Sequence, residues 1–143
     1  MTVRQVLAEK GGDVVTIGPD KTLAEAAAML AKRKIGAVVV TREGADVAGI
    51  LSERDIIRAL ADKGQQSLTD HVSAHMTSEV VTCPPEADMD HLMRAMTRGK
   101  FRHVPVVEAG RLVGIVSIGD VVKRRLAEVE AEHEALREYI ATA

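Results

Sequence analysis

The apolar residues of this chain fall into two patterns that alternate. Short runs rich in β-branched residues, at 14–17 and 38–40, have the length and composition of buried strands. Between them Leu23, Ala27 and Leu30 recur at helical spacing behind Thr22, a residue suited to a helix cap, so a helix is predicted from Leu23 to about Lys34. Gly36 precedes the Val38-Val39-Val40 run. The turn Glu43-Gly44-Ala45-Asp46 and a strand at 47–51 follow, and Ser52-Glu53-Arg54-Asp55 then opens a helix whose apolar face carries Ile56, Ile57 and Leu60. The order is β-α-β-β-α.

That order is written twice. Val14-Val15-Thr16 recurs as Val80-Val81-Thr82, Pro19 as Pro85, Lys34 as Lys100, and Val38-Val39-Val40 as Val104-Pro105-Val106, all at an offset of 66. One residue is lost in the next turn. Gly49-Ile50-Leu51-Ser52 then matches Gly114-Ile115-Val116-Ser117, and Asp55 matches Asp120, at an offset of 65. A match sustained through a single gap marks a duplication. The second copy predicts a strand at 80–82, a helix carrying Met89, Leu92, Met93 and Met96, strands at about 103–107 and 111–116, and a helix from Ser117.

A unit this small exposes too much surface to stand alone. The expected fold is α+β, two tandem β-α-β-β-α units packed sheet to sheet about a pseudo-twofold axis, with two related clefts where the copies meet. The polar linker at 63–78 predicts a short helix at about 69–76. Val3, Val6 and Leu7 resemble Val72 and Met76 in standing just before a repeat, so both segments read as lead-in helices. Residues 1–66 are expected to hold a lead-in helix and the first repeat, 67–126 the second repeat, and 127–143 a C-terminal helical extension.

Composition narrows the function. The chain is 46% hydrophobic over 143 residues but has one Phe and one Tyr and no Trp, so a flat ligand ring is expected to lie against aliphatic carbons. Bases of single-stranded nucleic acid stack on aromatic side chains, which are nearly missing. A formal charge of -2 supplies no basic field for nucleic acid or anionic lipid. No apolar run approaches the roughly 18 residues of a membrane span, and the first residues lack the apolar stretch of a secretion signal. The single Cys83 allows no internal disulfide. A cytoplasmic protein without nucleic-acid or membrane partners is the expectation.

The Gly-x-x-Ser-x-x-Asp pattern occurs twice, as Gly49/Ser52/Asp55 and Gly114/Ser117/Asp120, and Phe101-Arg102-His103-Val104-Pro105-Val106-Val107 opens the central strand of copy two. With the duplication, these features resemble tandem CBS domains, the pair called a Bateman module, over residues 3–126. The resemblance implies a free-standing, non-catalytic regulatory module that binds an adenine nucleotide (AMP, ATP or NAD(H)), forms a homodimer and acts on an unidentified regulated protein. It implies that Asp55 and Asp120 receive ribose hydroxyls, that Ser52 and Ser117 contact ribose or phosphate, and that backbone around Gly36, Ala37, Val38 and Arg102, His103, Val104, Pro105 reads the adenine edge.

The residues themselves leave alternatives open. Ser-x-x-Asp at a helix start is also a capping arrangement, while the positive end of the helix favours a phosphate. Gly49 and Gly114 sit in strands, where glycine serves either close approach to a ligand or the packing of a helix. Thr16 and Thr82 can present hydroxyls to a cleft or simply favour strand ends. Copy one has Gly36-Ala37 where copy two has Arg102-His103, near Arg98 and Lys100. Arg102 and Arg54 are candidate phosphate forks, and the alternative is a solvated basic surface. The two clefts should therefore be unequal.

No catalytic constellation, catalytic cofactor or metal site is expected. His71 and His75 share a helix spacing but lack a third ligand, and Cys83 reads as a small buried residue. The tail from Lys123 to Ala143 predicts a helix with Leu126, Val129, His133, Leu136 and Ile140 at 3, 4, 3 and 4 spacing, an a/d seam. Its partner is either the body of the chain or a second copy, with the second copy favoured. A ligand-free dimerisation or docking module is the competing function.

Overall fold

The computed structural model describes residues 1–43 and 45–142. Its elements are α1 (Val3–Lys10), β1 (Thr16–Ile17), α2 (Leu23–Arg33), β2 (Ala37–Arg42), β3 (Asp46–Ser52), α3 (Glu53–Lys63), α4 (Met89–Gly99), β4 (His103–Glu108), β5 (Arg111–Ser117) and α5 (Ile118–Thr142). Side-chain caps set several helix starts. Thr22 Oγ1 accepts the Glu25 N–H at 3.2 Å while the Glu25 carboxylate accepts the Thr22 N–H at 3.0 Å, a reciprocal arrangement that satisfies two orphan donors. At the other end, Lys34 and its counterpart Lys100 stop α2 and α4 in the left-handed region, at φ 56° and 57°.

Each copy builds the same sheet. β1 runs parallel to β2 and β2 antiparallel to β3; β4 and β5 pair antiparallel, and Cys83 bridges Val106 in parallel where β1 would be. The strand predicted at 80–82 is thus reduced to one bridge at Cys83. A register shift recurs at Val40/Thr41 and Val106/Val107. The missing residue of the duplication lies in the hairpin turn. Glu108 pairs Arg111 across Ala109-Gly110, both at positive φ as a two-residue turn requires, whereas Arg42 pairs Asp46 across a longer loop. Gly44 of the predicted first turn and Ala143 of the predicted tail lie outside the described residues.

Two apolar clusters carry the stability, and each draws on both halves of the sequence. Leu23, Leu30, Val38, Val40, Leu51 and Ile56 pack with Val72, while Met89, Leu92, Met96, Val104, Val106 and Val116 pack with Val3 and Val6. Val3 and Val72 are fully buried, worth about 1.5–3 kcal/mol each. Main-chain bonds repeat the exchange: the Val3 N–H donates to Ala87 O at 2.9 Å and Arg4 to Pro85 at 2.8 Å, as Val72 donates to Lys21 at 2.7 Å and Ser73 to Pro19 at 3.0 Å. The first lead-in segment therefore closes the core of copy two, and the second closes that of copy one.

The lead-ins match at an offset of 69 but differ in form. The helix predicted at about 69–76 is instead two short 3-10 turns, Gly64–Thr69 and Val72–Ala74. The chain then extends so that Thr77 exchanges two bonds with Ile50, both at 2.9 Å. His75 Nε2 meets Asp70 Oδ2 at 2.8 Å in this segment, and Lys63 Nζ meets the same oxygen at 2.7 Å.

The two strand glycines are explained by these lead-ins. A Cβ on Gly49 would stand 2.7 Å from the Thr77 carbonyl oxygen and 2.7 Å from Met76 Sδ; one on Gly114 would meet Leu7 Cδ2 at 2.6 Å. Packing of a neighbouring segment is what both positions serve. Gly49→Ala is expected to cost about 1–3 kcal/mol, because backbone cannot swing aside. Gly114→Ala should cost less, since the Leu7 side chain can rotate. Urea unfolding of the two variants measures the difference.

Candidate functional site

The N-terminal ends of α3 and α5 face the space between the copies. Ser52 Oγ accepts the Asp55 N–H at 3.3 Å, and Asp55 Oδ2 accepts from Ser52 N at 2.8 Å and Ser52 Oγ at 3.0 Å. Ser117 and Asp120 repeat the pattern at 3.2, 2.8 and 3.0 Å. Both signatures are therefore capping boxes. Capping occupies Oδ2 of each aspartate, and Oδ1 of Asp55 lies 3.5 Å from the exposed Arg58 Nη1, a loose pair that a ligand hydroxyl can replace.

A cleft of about 550 Å³ is lined from copy one by Gly36, Ala37, Ser52, Glu53, Arg54, Asp55 and Arg58, and from copy two by Lys100, Phe101, Arg102, His103, Ser117, Ile118 and Gly119. Ile50 and Thr77 complete the wall. The volume lies within the roughly 300–1,000 Å³ of small-molecule sites. Four cationic side chains outnumber two carboxylates, a balance that suits an anionic ligand. His103 joins them uncharged: burial pushes its imidazole below its ordinary value, and Lys10 and Arg102 push the same way, against Asp120 and Glu53. At neutral pH it offers one donor and one acceptor nitrogen.

Eight of the fourteen sequence-predicted residues line this cleft: Gly36, Ala37, Ser52, Arg54, Asp55, Arg102, His103 and Ser117; Asp120 does not. Val38 and Val104 are wholly buried in the two cores, and Pro105 is buried in β4, where its carbonyl accepts from the Cys83 N–H at 3.1 Å. Thr16 pairs with Val39 in the first sheet, and Thr82 is exposed. Neither threonine is among the lining residues. Phe101, by contrast, puts an aromatic ring where only aliphatic carbon was expected. Its ring crowds Gly99, where a Cβ would fall 2.2 Å from Cε1.

Asp120 itself turns toward a smaller space of about 140 Å³, lined by Val6, Glu9, Lys10, Lys123, Arg124 and Ala127. Lys10 Nζ donates to Asp120 Oδ2 at 2.6 Å and to Ile115 O at 2.9 Å. In copy one the Thr77 N–H donates to Ile50 O, the counterpart of Ile115. Because α1 stays helical, the Lys10 ammonium supplies that bond instead and reaches the aspartate as well. The counterpart of Lys10 is Glu79, which cannot do this. Among the described residues the one cation paired with Asp55 is the exposed Arg58, at 3.5 Å. Lys10 was missed in the sequence, although aligning the two lead-ins sets a lysine opposite a glutamate.

The sequence model of the CBS domain matches residues 3–62 and 72–127. The chain belongs to the CBS-domain family. Among solved structures, the CBS-domain containing protein ATU1752 from Agrobacterium tumefaciens is 54% identical, with a TM-score of 0.84 over 87% of this chain and 99% of that one. The CBS domain pair of protein MJ0100, solved with 5-methylthioadenosine and S-adenosyl-L-methionine, is 28% identical with a TM-score of 0.78, covering 90% of this chain and 98% of that one. The mitochondrial CBS domain-containing protein CBSX3 of Arabidopsis thaliana is 33% identical over 97% of this chain and 71% of its own length. The tandem CBS architecture expected from the two signatures is thus established, as is the α+β pair.

Cys83 is buried in this CBS pair, and burial pushes its thiol up to about 11, so it stays protonated and unreactive. No helix among the described residues is long and apolar enough to cross a membrane.

The Lys10–Asp120 pair makes stability depend on acid. Burial alone would raise the Asp120 carboxyl, but the Lys10 hydrogen bond and the Ser117 donors outweigh it and hold it below its ordinary 3.8. A depressed carboxyl stabilises the fold above its unfolded value and loses that contribution as pH falls through its folded value. Lys10→Met should therefore shift the acid-unfolding midpoint to higher pH. Circular dichroism across pH 2–6, wild type against variant, measures it.

Proposed function

We propose that this CBS pair is a non-catalytic regulatory module that binds one adenine nucleotide, AMP, ATP or NAD(H), in the cleft lined by Ser52 and Asp55. The carrying observation is that this cleft brings Asp55 together with Arg54, Arg58, Lys100 and Arg102. A carboxylate that accepts ribose hydroxyls and a ring of guanidinium and ammonium groups that hold phosphate are the two halves of nucleotide recognition. The positive end of α5 lies on the same wall, and Phe101 is also among the lining residues. MJ0100, a structural neighbour, was solved with adenosyl ligands. The excess of cations here favours a phosphorylated ligand over neutral methylthioadenosine or cationic S-adenosylmethionine.

One site per chain, rather than two, follows from the lysine. Lys10 already neutralises Asp120, and the space beside it, about 140 Å³, falls below the usual range of small-molecule sites. Binding alters a regulated partner only if the ligand prefers one arrangement of the copies over another. The reading includes a homodimer and places the protein in the cytoplasm, outside membranes and away from nucleic acid. The capping boxes favour a second reading, a ligand-free docking module in which Ser52 and Asp55 do nothing but start a helix.

Isothermal titration separates the two. The first reading expects one equivalent of AMP or ATP per chain, weaker binding of adenosine, and loss of affinity with added salt. Asp55→Ala should weaken AMP by about tenfold to a hundredfold, the worth of charge-assisted hydrogen bonds, while Asp120→Ala leaves the site in place. No heat or thermal shift with any of these nucleotides at millimolar concentration would leave the docking module.

A further inference from the structure

The last helix outruns the body it grows from. α5 buries Val121 near its start, yet every residue from Val129 to Thr142 is exposed. The exposed stretch is not uniformly polar. Val122, Leu126, Val129, His133, Leu136 and Ile140 follow one another at spacings of 4, 3, 4, 3 and 4. Leu126 and Leu136 are each 57% exposed and Ile140 66%. The seam does not fold back onto its own chain.

The residues beside the seam select what covers it. With Leu126, His133 and Ile140 at heptad position a, and Val122, Val129 and Leu136 at d, the flanking g positions are Arg125, Glu132 and Tyr139 and the e positions are Lys123, Glu130 and Arg137. In a parallel pair, g of one helix meets e of the following heptad on the other. Arg125 then faces Glu130 and Glu132 faces Arg137, opposite charges in both cases and twice over by symmetry. In an antiparallel pair g meets g and e meets e, which sets Glu132 against Glu132 and Glu130 against Glu130. Arg125 at present lies 3.4 Å from Glu128 of its own helix, an exposed pair that it can leave at little cost. His133 in the middle of the seam is the kind of polar a residue that fixes register and a two-stranded state.

We propose that α5 from Val122 onward forms a parallel two-stranded coiled coil with the same helix of a second copy. This rests on the homodimer reading above and specifies where the copies join. Six seam residues make a short coil. It is helped by the folded bodies at its N-terminal end, which already hold the first turns of each helix in place.

Sedimentation equilibrium of the full chain and its variants provides the test. Wild type should be a dimer. Leu136→Glu should weaken it at least about a hundredfold, as expected from losing a buried leucine in each chain. Glu132→Arg and Arg137→Glu should each weaken it, and the double variant should recover wild-type affinity. Oxidation of Leu136→Cys should give a disulfide-linked dimer and that of Glu138→Cys, on the opposite face, should not; buried Cys83 does not compete. A dimer unmoved by Leu136→Glu would overturn the coil and leave the homodimer standing. A monomeric wild type would overturn both. Failure of the charge-swapped double variant to recover, or equal crosslinking at both positions, would overturn the parallel arrangement. Nucleotide titration of the same variants reads the cleft independently.

Discussion

The structure depends on an exchange between its halves. Each repeat is a small sheet with two helices, and neither can close its core alone. Val72 fills the first core and Val3 the second, each brought there by a lead-in segment that runs close over a strand of the repeat it serves. The approach is possible only because Gly49 and Gly114 have no side chain. A duplicated unit that borrows its lid from the other half cannot come apart into two independent domains. The space between the copies is therefore bounded by packing on both sides.

That space is where the chemistry gathers. The capping boxes of α3 and α5 serve local stability first, and they also fix Asp55 and Asp120 by using the same one carboxylate oxygen of each. The difference between the aspartates does not arise within the signatures, which are alike in sequence and geometry. It arises in the lead-ins. Where the second lead-in extends and lets Thr77 pair with Ile50 through the main chain, the first continues as a helix and answers the same carbonyl with the Lys10 ammonium. One change of backbone form thus places a cation on one aspartate and leaves the other facing a cleft with four basic neighbours.

The basic residues of that cleft come from both halves. Arg54 and Arg58 lie on the helix that Asp55 helps to cap, while Lys100 and Arg102 stand just before β4. Lys100 is itself the left-handed residue that ends α4, a conformation its counterpart Lys34 shares without reaching the cleft. The scaffold is symmetric and the charge upon it is not, which is how a duplicated fold can offer one site in place of two.

Much of this was legible in the residues alone. The two-copy plan, the helix caps, the hairpins and the Ser/Asp pairs depend on local spacing and on repetition, and both survive in a linear string. The a/d seam of the last helix was equally visible, being a matter of periodicity. Other features depended on contacts between distant segments. The helix expected at about 69–76 lost to main-chain pairing of Thr77 with Ile50, and the strand at 80–82 shrank to a bridge at Cys83. Val38, Val104 and Pro105 were enclosed because β2 and β4 are covered on both faces, so that consecutive strand residues are buried alike, and only tertiary packing decides that. Above all, two matching Ser-x-x-Asp patterns stand in the sequence, and only the tertiary structure put Lys10 on one of them. Its partner Asp120 stands more than a hundred residues away, a distance across which no local pattern carries.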